Sequence, residues 1–283
     1  MPSNLHSPQS VNQALPRHSK LWLLDLGDLE ADAGWFFSGA NGSLASNRNP
    51  TNERRKLKMI SALIEHPRHG LFLYEVGSVP DAEQIWGEHL FDTFNRTTYL
   101  EEHRLDVAIA RTGHDIRDIK GVIIGHLHID HAGGLEFFRG TDVPIYVHEQ
   151  ELAAAYIGVA TKRELGPYLP HILDFNFNWQ TLNGPRIEIL PGMTLYHTPG
   201  HTPGLMGLMV ELRDHAPFLF TSDQFMFREH YEDGTPLGWL MRDTADWHRS
   251  REMIRCLAAT HEPNLVFGHD PEVFLSFTED FYT

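Results

Sequence analysis

The chain has 283 residues, 41% of them apolar and 22% charged, with a formal charge of −15 at pH 7. That much apolar residue supports a sizeable buried core and a soluble globule. The acidic balance repels phosphate backbones and anionic lipid surfaces, so neither nucleic acid nor a membrane is an expected partner. The single cysteine, Cys256, rules out both an internal disulfide and a thiolate-rich zinc site.

Residues 1–20 are polar, rich in Ser, Pro, Asn and Gln, and lack the apolar stretch of a secretory signal. They read as a loose tail before a single domain over residues 21–283, with a cytoplasmic location as the default. Leu21 to Gly27 reads as a first strand. Ala33 to Asn49 has loop composition and carries an aromatic cluster, Trp35-Phe36-Phe37, expected to be exposed. Met59–Glu65 and Leu71–Val76 flank a Pro- and Gly-containing turn and predict a β-hairpin.

Leu105–Arg111 suggests a helix, and Gly121–Gly125 a buried strand that ends at His126. Val143–His148 reads as a strand and Glu149–Thr161 as an Ala-rich helix. Ile187–Leu190, Thr194–His197, Leu205–Leu212, Phe218–Thr221 and Leu265–Phe267 read as strands. Thr244–Ala259 reads as a helix, with Cys256 on its apolar face as a buried structural thiol. Alternating strands and helices predict a layered α/β protein. His126, His201, Asp223 and His269 each fall just after a strand or in the turn that follows one, where a rigid sheet can aim them into one cleft.

The strongest signal is His126-Leu127-His128-Ile129-Asp130-His131, four potential ligands within six residues. Imidazole and carboxylate are what zinc accepts where cysteine is absent. On an extended segment His126 and His128 share a side. A turn at Asp130 and His131 can then serve a neighbouring point, with Gly133 and Gly134 permitting it. His201 in a Thr-Pro-Gly-His turn, Asp223 and the Gly268-His269 pair bring the candidates to seven, enough for two ions, and Asp223 is the carboxylate available to bridge them.

This order of motifs resembles the metallo-β-lactamase superfamily over most of the chain. The resemblance implies an αββα sandwich with the site at one edge, between the sheets. It implies His126, His128 and His201 on one metal, Asp130, His131 and His269 on the other, and Asp223 and a hydroxide bridging them. Two Zn(2+) per chain are the implied cofactors, with Mn, Fe or Co as alternatives. Within the superfamily, the stretch from Asp223 to Asp233 is similar to the N-acyl homoserine lactonases. Two positions depart from them. Their tyrosine three residues after the bridging aspartate is Met226 here, and their Asp-Thr-Gly after an early strand is Glu75-Val76-Gly77. The first departure shifts the expected substrate toward a smaller or aromatic cyclic molecule. The second is expected to touch only packing.

The expected activity is the opening of a small cyclic ester or amide, as a lactonase or a benzoxazolinone-type γ-lactamase does, with Asp130 carrying a proton to the leaving group. Trp35, Phe36, Phe37, Phe225, Met226 and Tyr231 are the candidates for an apolar cleft wall. The alternatives are another hydrolase of the superfamily (a thioesterase, phosphodiesterase or organophosphate hydrolase) or a non-hydrolytic di-iron protein. A homodimer is left open.

Overall fold

The computed structural model describes residues 19–164 and 166–283. The expected N-terminal tail lies outside the described residues except for its last two, and Lys20 already opens the first strand.

Among the described residues, twelve strands form two sheets. β1 (Lys20–Asp32), β2 (Arg54–His66), β3 (Gly70–Tyr74), β4 (Asn95–Thr98), β5 (Ile119–Ile123), β6 (Pro144–His148) and β7 (Asn178–Leu182) build the first, in the order β4-β1-β2-β3-β5-β6-β7. β8 (Arg186–Leu190), β9 (Met193–His197), β10 (Met206–Val210), β11 (Phe218–Ser222) and β12 (Asn264–Phe267) build the second, in the order β12-β11-β10-β9-β8. β2 and β3 form the expected antiparallel hairpin, closing at His66↔Gly70. β5 and β6 continue the sheet in parallel with β3, and β12 runs parallel to β11.

The period-two alternation of strands explains the layering. Ala62, Ile64, Phe72, Tyr74 and Ile123 point one way and join Met193, Leu195, Leu208, Phe220 and Val266 of the second sheet in one buried cluster. The intervening residues Leu63, Leu73, Val122 and Ile145 point the other way and pack with Leu105 and Ile109 of the helix Leu105–Arg111 and Ala155 of the helix Glu149–Ala160. The helix Thr244–His261 covers the outer side of the second sheet through Trp247 and Ile254, alongside Met209 and Leu219. The result is the αββα sandwich.

Three expectations need correction. Phe36 is buried, at the end of a short helix, Ala33–Phe36, because the backbone of residues 238–240 is hydrogen-bonded over this segment (Gly238 N–H to Phe36 O, 3.0 Å; Trp239 N–H to Gly34 O, 3.1 Å). Cys256 is exposed, because the helix Thr244–His261 buries Trp247, Ser250 and Ile254, and Cys256 lies two residues beyond that stripe. β3 ends at Tyr74 because Glu75 adopts a left-handed φ of 61°.

Candidate metal centre

Each strand that carries a candidate ligand stops at the same edge of the sandwich. β5 ends three residues before His126, β11 directly before Asp223 and β12 two residues before His269. His201 sits in the turn between β9 and β10. Two glycines permit the approach. A Cβ on Gly268 would lie 2.5 Å from Asp223 Oδ1, and one on Gly133 would lie 2.2 Å from Val79 N. Gly133 and Gly134 have no left-handed φ, so they serve close packing and not the backbone freedom expected of them.

All seven predicted ligands converge. His126, His128, His201 and Asp223 place ligand atoms within 4.8 Å of one another, and so do Asp130, His131 and His269. Asp223 stands between the groups. Its Oδ2 is 3.4 Å from His201 Nε2 and 3.7 Å from His126 Nε2. Its Oδ1 is 3.1 Å from His269 Nε2 and 3.2 Å from His131 Nε2. Asp130 Oδ2 is 3.5 Å from His269 Nε2. Ligands around a tetrahedral zinc with bonds of about 2.0–2.1 Å are separated by roughly 3.3 Å, so these spacings suit cations held between the side chains.

The electrostatics agree. Burial pushes His126 and His128 well below the ordinary imidazole range and His201 down to about 3, which leaves their lone pairs free. Burial opposes charge on Asp223, yet His269 and His131 facing it hold its carboxyl well below the usual range. For His131 and His269, burial is the largest influence and works downward, but the facing carboxylates together outweigh it and raise both: Asp223, Glu75 and Asp130 for His131, and Asp223 and Asp130 for His269. His126 Nε2, His128 Nε2 and Asp223 Oδ1 are buried without a hydrogen-bond partner. Buried polar atoms in native structures are nearly always paired. The orphaned His126 Nε2 facing an ionised carboxylate, with His128 Nδ1 and His201 Nε2 facing each other at 2.9 Å beside it, fits divalent cations held among these groups.

A second tier of residues holds this group, and sequence reasoning missed it. Glu75 Oε2 lies 3.3 Å from His131 Nδ1, and Glu75 Oε1 accepts from Ser222 Oγ at 3.0 Å. Ser222 Oγ is in turn 3.2 Å from His126 Nδ1. The Glu75 position therefore does more than pack. His269 Nδ1 donates to Lys58 O at 3.0 Å. Glu151, fully buried on its helix, accepts from Leu127 N at 2.9 Å, from Tyr168 Oη at 2.9 Å and from Gly204 N at 3.1 Å. It thereby ties the turn of His126 and His128 to that of His201.

A cavity of about 320 Å³ opens onto the centre, with His128, Asp130, Asp223 and His269 on its floor. Of the six predicted wall residues, Trp35, Phe36 and Met226 line it, with Leu29, Leu57, Leu90, Phe94 and Leu240. The other three are structural. Phe225 packs edge-on against Tyr231 at 5.6 Å and against Trp247 at 6.1 Å. Phe37 stacks on His230 at 4.7 Å. Arg163, Glu164 and Arg242 also line the cavity, and no sequence motif singled them out.

Comparison with known proteins follows the same lines. The chain is 28% identical over 277 residues to the N-acyl homoserine lactonase AiiB of Agrobacterium fabrum, covering 93% of this chain and 99% of the relative. It is 32% identical over 208 residues to the N-acyl homoserine lactonase of Bacillus cereus, covering 72% and 78%. Among solved structures, AiiA of B. thuringiensis with N-decanoyl-L-homoserine bound at its active site superimposes with a TM-score of 0.76 at 26% identity, covering 92% of this chain and 96% of the other. No helix among the described residues is long and apolar enough to cross a membrane. The family model described as the metallo-beta-lactamase superfamily matches residues 61–269, and the chain belongs to that superfamily.

Proposed function

We propose that the chain is a dinuclear metal-dependent hydrolase that opens a small cyclic ester or amide. The observation that carries this reading is Asp223, whose two oxygens face different histidine groups at the floor of an apolar cavity. His126, His128 and His201 would hold one ion and Asp130, His131 and His269 the other, with Asp223 shared. The nitrogen and oxygen donors suit zinc, and manganese, iron or cobalt accept the same set. When bound, two such cations lower the pKa of a shared water and polarise a carbonyl oxygen.

The chain's own residues do the rest. Asp223 stays ionised and neutralises part of the cationic charge. Asp130 borders the cavity and is the least buried of the seven, so its carboxylate can take up a proton and pass it to the departing ring oxygen or nitrogen. Trp35, Leu57, Phe94 and Met226 exclude water and receive the apolar part of the substrate. The relatives named as N-acyl homoserine lactonases favour a lactone. Met226, beside Asp223, favours a flat aromatic cyclic carbamate as a second substrate, because a thioether donates no hydrogen bond and packs adaptably on a ring.

The test combines metal analysis with turnover. Purified chain reconstituted with zinc should hold two ions, and should hydrolyse an N-acyl homoserine lactone or benzoxazolinone. Asp223→Asn should lose metal and about a hundredfold or more in kcat while its circular dichroism is unchanged. A stoichiometry that stays at one, or a two-metal protein inert toward lactones, lactams and cyclic carbamates alike, overturns the reading.

A further inference from the structure

Beyond the metal centre, the largely apolar cavity wall carries His89, Thr93, Arg163, Glu164 and Arg242, and such polar groups decide what a substrate must carry. One of them is fixed with unusual care. Arg242 lines the cavity, and its Nε and Nη2 both donate to Glu164 Oε2, at 3.1 and 2.6 Å. Its Nη1 donates to Trp239 O at 3.3 Å. Its backbone is fixed as well: Arg242 N–H and Asp243 N–H both donate to Gly200 O, at 2.9 and 3.0 Å, directly beside His201. The backbone of Arg242 is therefore tied to the turn that carries a metal-centre histidine, and its guanidinium to the segment after the helix Glu149–Ala160.

Several points separate this arrangement from an ordinary surface ion pair. Both partners are about 70% covered, with side-chain exposures of 29% and 30%. The two residues lie on the cavity wall, where Arg242 also remains open to solvent. A guanidinium has five N–H donors, and the three bonds above leave two of them free. A pre-oriented fork loses little entropy when it binds an oxygen acceptor.

We propose that Arg242, held by Glu164, is a specificity-determining residue that receives an oxygen acceptor borne outside the reacting ring, so that the cavity takes cyclic substrates with an exocyclic amide or carboxylate in preference to purely alkyl-substituted rings. This rests on the hydrolase reading above and deepens it. The apolar wall holds the hydrocarbon part, the metal centre faces the ring carbonyl, and Arg242 reads the second carbonyl.

Binding of a matched ligand pair tests it on the metal-loaded protein. One ligand is the lactam analogue of N-hexanoyl homoserine lactone. The other is the same ring with a plain alkyl chain of equal length. The wild type should bind the amide-bearing ligand roughly ten- to a hundredfold more tightly, the effect of a hydrogen bond from a charged donor. Arg242→Met should abolish that preference by weakening the amide ligand alone, with metal content unchanged. Arg242→Lys, which keeps the charge beside Glu164 but not the fork, should retain part of the preference, and it decides the matter if the methionine variant does not fold. Equal loss for both ligands, a lysine variant equal to wild type, or no preference in the wild type overturns the proposal. Turnover of lactones and lactams is measured separately, so a chain that binds the pair as expected but hydrolyses nothing refutes the hydrolase reading and leaves the role of Arg242 standing.

Discussion

Glu75 and Ser222 are hydrogen-bonded at 3.0 Å, and both are non-glycine residues in the left-handed region, with φ of 61° and 45°. Each ends a strand, β3 and β11, at the metal centre. Left-handed backbone costs roughly 1–2 kcal/mol at a residue with a Cβ. It is tolerated here because it turns two side chains back toward histidines of both ligand groups. One carboxylate thus serves His131 directly and His126 through a hydroxyl.

Glu75→Gln should therefore weaken metal binding at both sites by about ten- to a hundredfold, the usual effect of losing a carboxylate behind a ligand histidine. Ser222→Ala should weaken chiefly the site of His126. Competitive titration against a chromophoric chelator measures both, with circular dichroism as the control for folding. Unchanged affinities in Glu75→Gln would reduce the residue to packing.

Glu151 leads to a different expectation, because it is fully buried and accepts three hydrogen bonds. Burial raises its pKa, while the N–H groups of Leu127 and Gly204 and the Tyr168 hydroxyl stabilise its charge. Glu151→Ala strands three buried donors, each worth about 1–3 kcal/mol, so a loss of about 3 kcal/mol or more in urea unfolding is expected. Glu151→Gln, which keeps one acceptor, should lose less. A loss under about 1 kcal/mol in the alanine variant would mean that water or a neighbour replaces the carboxylate.

The ligand hexapeptide was legible because four donor residues, three histidines and an aspartate, lie within six positions, after a β-branched run that reads as a buried strand. His201, Asp223 and His269 were legible because each follows a strand, and strand ends share an edge. The second tier was not, since the contact of Glu75 with His131 depends on a left-handed turn that no local pattern marks. Met226 and Phe225 show the same limit in the wall. They are neighbours in an irregular loop, one facing the cavity and the other Trp247, and without a period, composition does not tell faces apart. Cys256 is the opposite case. The stripe Trp247, Ser250, Ile254 was readable at helical spacing and puts the thiol on the other face.

The last expectation concerns acid stability. His148 caps the helix Glu149–Ala160, its Nδ1 accepting from Gln150 N at 3.3 Å. Its ring stacks on His197 at 4.0 Å with the planes 8° apart. Protonation would remove the acceptor, place a cation at the positive end of the helix and set it against a second imidazole. Burial first, and His197 second, lower its pKa from 6.5 to about 4. A histidine with a depressed folded pKa binds its proton more readily when unfolded. Its contribution is therefore complete above pH 6.5 and is lost as the pH falls from 6.5 toward 4. His171 and His230, also lowered to about 4, act in the same direction. His148→Asn keeps a capping acceptor but does not titrate. Urea unfolding of chelator-treated protein between about pH 7 and about pH 5 should show stability falling with acid in the wild type. In His148→Asn the slope should be shallower by up to about 1.4 kcal/mol per pH unit. Parallel slopes in the two proteins would show that His148 takes up its proton equally well in the folded chain.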